Sequence, residues 1–222
     1  MTALGLIPAR GGSKSVPRKN VRDLAGKPVI VWTIEAALAC PTLDRVVVST
    51  DDEEIARIAR SHGADVPFMR PAGLALDDTP DLPVYRHVLA ELGAAPRVVA
   101  WLRPTAPLRT ADDIAAALGL LDQTGADCVR SICLAEHHPS WMVTLDGDRL
   151  EPLGDVARYF RRQELPPVYR LNGAVDVVRC AAVPPEGPLF AGDVRGYAMP
   201  AERSVDLDSE LDFVLAEALL TR

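Results

Sequence analysis

The chain reads as an α/β protein, three layers deep, built on a mainly parallel sheet. Short apolar runs rich in β-branched residues alternate with stretches of helical period, the pattern of βαβ units. The helical stretches carry their own start and stop signals. A length of 222 residues, 48% of them hydrophobic, suffices for one domain with a substantial core. One domain over residues 1–222 is expected, with an excursion at about 135–190.

Residues 4–8 form the first predicted strand. Residues 28–39 form the first full helix, because Ile30, Ile34, Ala37 and Leu38 fall on one face. The loop between them lies where an open α/β sheet presents ligands, beyond the carboxyl ends of its strands. Residues 45–50, Arg-Val-Val-Val-Ser-Thr, are a second buried strand. Asp51 or Asp52 then caps a helix with the apolar stripe Ile55, Ile58 and Ala59, stopped at Gly63. Residues 66–69 suggest another short strand. Residues 79–92 are helical, since Pro80 and Pro83 are tolerable in a first turn, and 97–102 are a further strand. The loop 103–109 feeds a helix from about Ala111 to Asp122 that ends before Gly125. After a strand around 127–133 the periodicity weakens, and residues 135–170 mix His, Pro, Trp, Gly and Arg as an excursion from the core would. Residues 171–179 and 197–199 are predicted strands. Residues 209–220 form a closing helix capped at Ser209, with Asp212 three residues on.

Composition narrows the function. A formal net charge of −7 argues against a broad nucleic-acid surface and favours a small anionic ligand at a local cationic site. Cys40, Cys128, Cys133 and Cys180 show neither C-x-x-C spacing nor a paired His-Cys pattern, so neither a zinc site nor a disulfide framework is expected. The apolar runs fall short of a membrane span, and a cytoplasmic location follows as the expectation.

Residues 7–20 place Arg10, Lys14, Arg18 and Lys19 around the adjacent Gly11 and Gly12, directly after the first strand. Glycines let the backbone turn tightly and bring its N–H groups to an anion, while the cations add charge-assisted donors, a combination suited to a triphosphate. Neither G-x-x-x-x-G-K-[ST] nor G-x-G-x-x-G occurs. Asp206 and Asp208 flank Leu207, and on extended backbone residues two apart face the same way, so both carboxylates could meet one magnesium ion. Arg70 follows a predicted strand and could fork onto a base edge or a phosphate, or pair with Asp77 or Asp78. Arg103 and Arg109 bracket a loop stiffened by Pro104 and Pro107. Arg158, Arg161 and Arg162, ahead of Gln163 and Asn172-Gly173, suit either an acidic polyhydroxylated substrate or a subunit interface.

Taken in order, these segments are Ile7-Pro-Ala-Arg-Gly-Gly-Ser-Lys14 with Lys19-Asn20, Val48-Ser-Thr-Asp51, Arg70-Pro-Ala with Asp77, and Pro104-Thr-Ala-Pro-Leu-Arg109. Glu136-His-His-Pro139, Arg162-Gln163, Asn172-Gly-Ala174 and Ser204-Val-Asp-Leu-Asp208 follow. The set resembles the acylneuraminate cytidylyltransferases, or CMP-sialic acid synthetases, from one end of the chain to the other. The resemblance implies a Rossmann-like nucleotidyltransferase fold, CTP as cosubstrate, magnesium, and a homodimer in which the excursion of one subunit helps close the other's site. It implies transfer of CMP to the anomeric hydroxyl of a 2-keto sugar acid with release of pyrophosphate, and leaves the proton acceptor open. Arg10, Lys19, Asp206 and Asp208 would carry catalysis, the two acids as metal ligands. Ala9, Arg10, Gly11, Gly12, Ser13, Lys14, Asn20, Arg70 and Asp77 would hold the nucleotide. Arg103, Thr105, Trp141, Arg162, Gln163, Asn172, Gly173, Asp176 and Phe190 would border the sugar.

Arg103, Trp141 and Asp176 depart from the pattern of sialate-specific members, which puts the identity of the sugar acid in question more than the chemistry. A 3-deoxy-manno-octulosonate cytidylyltransferase ranks second, because those enzymes resemble one another in a different first loop. A non-catalytic nucleotide-binding homologue is the third reading.

Overall fold

The computed structural model describes residues 2–13, 16–93, 96–153 and 165–222. Its centre is a six-stranded sheet. Strand β1 (Ala3–Pro8) is followed by a small hairpin of β2 (Asp23–Leu24) and β3 (Lys27–Pro28), then by helix α1 (Val29–Leu38), β4 (Arg45–Ser49) and α2 (Glu53–Ser61). Next come α3 (Asp81–Leu92), β5 (Val98–Trp101), α4 (Ala111–Thr124) and β6 (Cys128–Leu134). A second hairpin, β7 (Val143–Asp146) and β8 (Arg149–Pro152), precedes β9 (Tyr169–Arg179), β10 (Val194–Ala198) and α5 (Glu210–Leu220).

The sheet order is β10-β6-β9-β5-β1-β4. All pairings are parallel except those of β9, which runs antiparallel between β5 and β6. From β1 the chain crosses to β4 on one side, and from β5 toward β6 on the other. The switch point therefore lies beyond the carboxyl ends of β1 and β5, where such sheets bind ligands.

Alternation along each strand makes the layers. Ala3, Ile7, Val46, Val48, Val98 and Ala100 face a core closed by Ile30 and Ile34 of α1, Ile55 of α2 and Ile114 of α4. Leu4, Leu6, Val47, Val99 and Trp101 face the opposite way, onto Leu82, Tyr85 and Val88 of α3. A third cluster packs Phe213 and Ala216 of α5 against Leu24, Val29 and Leu207.

Local signals account for the helix ends. Asp52, not Asp51, caps α2, its carboxylate accepting from the Glu54 and Ile55 N–H groups at 2.9 and 3.0 Å. Both α4 and α5 start in capping boxes, Thr110 with Asp113 and Ser209 with Asp212. Gly125 ends α4 in the left-handed region at φ 69°.

Three expectations are corrected, and one element was not expected. Residues 66–69 form no strand; the chain touches the sheet edge through one bridge, Val47 with Asp65, before the Arg70 N–H donates to the Thr50 carbonyl at 2.7 Å. Leu38 is exposed, unlike Ile30, Ile34 and Ala37. The range 135–190 set aside as an excursion contains β9, which is paired on both sides inside the sheet. The β2–β3 hairpin was not foreseen, because its turn uses Ala25 and Gly26, both at positive φ, in place of the Asn-Gly that usually marks such turns.

Asp113 ties the last loop to α4. Buried at 1% exposure, it accepts from both Arg203 donors at 3.0 Å, from the Tyr197 hydroxyl at 3.0 Å and from the Thr110 N–H at 2.9 Å. Burial alone would raise its pKa, but Arg203 and the Thr110 and Tyr197 donors outweigh it and hold the carboxyl below its ordinary value. A depressed carboxyl stabilises the fold above its unfolded pKa and loses that contribution as pH falls through the folded value. Asp113→Ala should therefore lower the stability at pH 7 by about 2 kcal/mol, through the lost cap and ion pair. It should also flatten the fall of the urea midpoint between neutral pH and pH 3, both read from urea unfolding at a series of pH values.

Candidate functional site

A cavity of about 470 Å³ opens at the switch point. Pro8 and Trp101, the last residues of β1 and β5, form its floor; Arg10, Lys19, Arg70, Arg103, Thr105 and Asp208 are among the side chains on its walls.

The cation loop meets one of the two acids there, Asp208; Asp206 lines an adjoining hollow with Arg170 and Ser204, which Asp208 also borders. Lys19 sits in a short 3-10 turn, Lys19–Val21, and is buried at 7% exposure. Its ammonium donates to the Leu207 carbonyl at 2.5 Å and to Asp208 Oδ1 at 3.0 Å, across 188 and 189 positions of sequence. The Leu207 N–H donates to the Thr105 carbonyl at 2.8 Å, so the loops after β1, β5 and β10 are fastened to one another. Leu207 is buried in the third core cluster, and this fixes the two flanking acids at the surface of that core.

The two acids differ. Asp208 is exposed, whereas Asp206 is half-buried with one carboxylate oxygen, Oδ1, buried and without a hydrogen-bond partner among the described residues. Burial pushes the Asp206 pKa up, as does Asp208, while Thr105, Lys19 and Arg103 pull it down. An orphaned anionic oxygen beside a second carboxylate is a donor set suited to a hard divalent cation.

The remaining phosphate-loop residues divide. Gly12 and Ser13 line the cavity, and a Cβ on Gly12 would meet no atom within 4 Å. The Gly11 N–H instead donates to Asp51 Oδ1 at 3.0 Å, and a Cβ there would fall 2.7 Å from Asp52 Oδ2. Gly11 is thus required by the approach of Asp52, and its N–H is already taken by Asp51. Ala9 lies in the core and its N–H donates to the Ser49 carbonyl. Arg18 turns outward to pair with Asp52 and Glu54. Arg10 pairs with Asp77 at 2.5 Å, and the Asn20 amide donates to the Arg10 carbonyl at 2.9 Å. Lys14, like Arg162 and Gln163 of the expected sugar pocket, lies outside the described residues.

Arg70 is buried. It donates to the Ser49 hydroxyl and carbonyl and to the Leu74 carbonyl, bracing the 70–77 segment against β4 while lining the cavity. Burial lowers its pKa to about 10, with Asp51 opposing and Arg10 adding to the shift. Arg109 is buried behind the site, donating to Thr33 and to the Arg103 carbonyl, and burial lowers it to about 9.

Several residues expected at the sugar lie behind the cavity wall. Asp176 is fully buried, paired with Arg103 Nη1 at 2.6 Å and with Arg130 at 3.1 and 3.2 Å. Asn172 is buried between Ser131, Ser204 and Met199, and its carbonyl oxygen accepts from the Ser131 hydroxyl at 2.5 Å. Phe190 belongs to the core, edge-on to Trp101 at 6.5 Å and beneath Arg130. Trp141 lies over a separate, smaller hollow with His138, Leu165 and Pro166. Arg103, Thr105 and, through its space beside Arg103, Gly173 remain at the site. Asp81 and Arg130 were missed from sequence. Asp81 carried one signal, as the first acid after Pro80 at a helix start; Arg130 carried none, since a charged residue inside an apolar strand finds its partner only across the sheet.

The cytidylyltransferase family profile matches residues 4–174. The CMP-N,N'-diacetyllegionaminic acid synthase of Legionella pneumophila is 32% identical over 228 residues, covering 99% of this chain and 97% of that protein. The N-acylneuraminate cytidylyltransferase of Streptococcus agalactiae serotype V is 33% identical over 96% of this chain, which spans 52% of that longer relative. A solved structure of CMP:2-keto-3-deoxy-manno-octonic acid synthetase complexed with CTP superposes with a TM-score of 0.73, over 100% of this chain and 99% of that one. At 18% identity this shows a shared fold alone. The profile covers residues 4–174 and the relatives nearly the whole sequence, and the chain belongs to the cytidylyltransferase family that includes the N-acylneuraminate cytidylyltransferases.

Proposed function

We propose that the protein transfers CMP from CTP to the anomeric hydroxyl of a nonulosonic or related 2-keto sugar acid. The observation that carries this reading is the Lys19 bridge to Leu207 and Asp208, which ties the cationic loop to the segment bearing the two acids and puts Asp208 on the cavity, with Asp206 two residues before it in the adjoining hollow. CTP would occupy the switch-point cavity with its phosphates over Gly12, Ser13 and Arg10. The Arg10 partnership with Asp77 would be exchanged for phosphate oxygens. Arg70, braced on Ser49 and Leu74, would border the nucleoside.

The hydroxyl oxygen of the acid would attack the α-phosphorus in line, its proton would be released, the bond to the β-phosphate oxygen would break, and pyrophosphate would leave. The chain's share is to hold both substrates and neutralise charge that grows on the leaving group, a role for Arg10 and Lys19. Asp206 and Asp208 would hold magnesium, which when bound supplies further neutralisation of the phosphates. CTP is a cytoplasmic nucleotide, and the reading places the enzyme there.

The reading includes a homodimer. Leu134, Tyr169 and Leu171, on the ends of β6 and β9 that extend past the sheet, are exposed together with Leu145 and Leu150 of the β7–β8 hairpin. Apolar side chains gathered on one excursion support burial against a second copy. Sedimentation equilibrium should give twice the chain mass; a monomer at micromolar concentration removes this part of the reading.

The purified protein, given CTP, magnesium and a panel containing N-acetylneuraminate, N,N'-diacetyllegionaminate and 3-deoxy-manno-octulosonate, should release pyrophosphate with a nonulosonic acid. Release with the octulosonate alone would make the second reading the correct one. CTP binding in calorimetry without turnover of any acid would favour a non-catalytic homologue. Asp208→Ala and Lys19→Met should each lower kcat by roughly 100-fold or more with the circular dichroism unchanged. Near-normal turnover in either variant would remove that residue from the machinery.

A further inference from the structure

Arg103 is shared between two carboxylates of opposite character. Nη1 donates to Asp176, which is fully buried and also held by Arg130. Nη2 donates to Asp81 Oδ2 at 2.5 Å, and the Asp81 side chain retains 36% exposure on the cavity wall. One side of the guanidinium is therefore anchored in the protein, and the other is closed by an anion that water reaches.

We propose that Asp81 stands in for the carboxylate of the acceptor. The incoming acid takes Nη2 of Arg103 from Asp81, and this exchange sets the affinity for charged acceptors. The inference rests on the cytidylyltransferase reading above. Arg103, Arg130, Asp81 and Asp176 together carry no net charge, so these four leave no cation unpaired until Asp81 lets go. A planar guanidinium matches a carboxylate fork, and one carboxylate replacing another keeps the balance of charge. A neutral ligand cannot make that exchange without leaving the arginine short of a partner.

Release costs Asp81 little. It is the first residue of α3, where unpaired helical N–H groups and the helix dipole favour a negative charge, and it is part-hydrated. Asp176 cannot move in the same way, because a buried carboxylate that leaves its arginines is stranded without solvent. Asp176 is thus a positioning residue that aims Arg103. Gly173 lies beside it, its Cβ position 3.8 Å from Arg103 Cδ, at ordinary contact distance.

The test compares each acid of the panel with its methyl ester, which keeps the anomeric hydroxyl and loses the charge, in steady-state pyrophosphate release. Asp81→Asn should lower the KM for the acid about 3-fold, as expected for removal of a part-exposed competing ion pair, and leave the KM for CTP unchanged. Arg103→Gln, which leaves Arg130 on Asp176, should raise the KM for the acid about 10- to 100-fold. The ester should respond to neither substitution. An acid KM that is unchanged or raised in Asp81→Asn, an ester that responds as the acid does, or an Arg103→Gln effect confined to CTP would overturn the proposal while leaving the cytidylyltransferase reading intact. A wild-type protein that turns over no acid at all removes both.

Discussion

The buried ammonium of Lys19 holds the two ends of the chain at one place. A charge taken out of water is tolerated only where it is paired and hydrogen-bonded, and Lys19 finds both conditions in Asp208 and the Leu207 carbonyl. Neither partner belongs to a neighbouring segment, so the contact forms only once the whole sheet is assembled. The Thr105 carbonyl then fixes Leu207 from the β5 side, and the buried Leu207 side chain fixes it from the core. The relation between the cationic loop and the acids is settled before any ligand arrives, which is the condition for charge stabilisation without reorganisation.

Preorganisation has a second consequence, because the cations around the cavity are already occupied. Arg10 holds Asp77, Arg103 holds Asp81 and Asp176, and Arg70 is spent largely on Ser49 and Leu74. In a protein of net charge −7 the site is therefore not a free positive field; it is a set of ion pairs whose rim members can be traded. On the proposed function, ligand binding would be an exchange of partners, its energy the difference between two pairings and smaller than either alone. Asp206 shows the opposite condition. Its Oδ1 is a buried acceptor with no partner among the described residues, and burial, with Asp208 adding, raises its pKa against the pull of Thr105, Lys19 and Arg103.

Much of the fold was legible because each element carried a local cause. Asp52, Thr110 with Asp113, Ser209 with Asp212, and Gly125 mark helix ends by chemistry that acts within a few residues. The rank of residues at the site was less legible. Asp176, Asn172 and Phe190 fall in the right stretch of chain but behind the wall, and their placement depends on partners from other strands: Arg130 for Asp176, Ser131 and Ser204 for Asn172, Trp101 for Phe190. A polar residue near a pocket and a polar residue supporting that pocket look alike until the register of the sheet is known. The 66–69 segment failed for a related reason, since strand pairing needs an edge to pair with and only Asp65 meets one.

The reversed direction of β9 explains why so many of these residues gather at one level. Strands that point their carboxyl ends at a ligand leave the site as the chain proceeds into the next loop. Strand β9 does the reverse, entering at Tyr169 opposite Leu134, the last residue of β6, and running inward until Asp176 lies beside Trp101. Between those points the register slips: Ile132 faces Leu171 while Arg130 faces Asp176, so residues 172–175 bulge on the β9 side. Ser131 holds the bulge by accepting from the Val175 N–H at 2.8 Å and donating to Asn172. The left-handed Gly173, at φ 65°, turns the chain there. The excursion thus leaves the sheet from β6 and returns through β9 on the same edge as the cavity. The bulge, set between that return and Asp176, aligns Asp176 with Arg103 and Arg130 together.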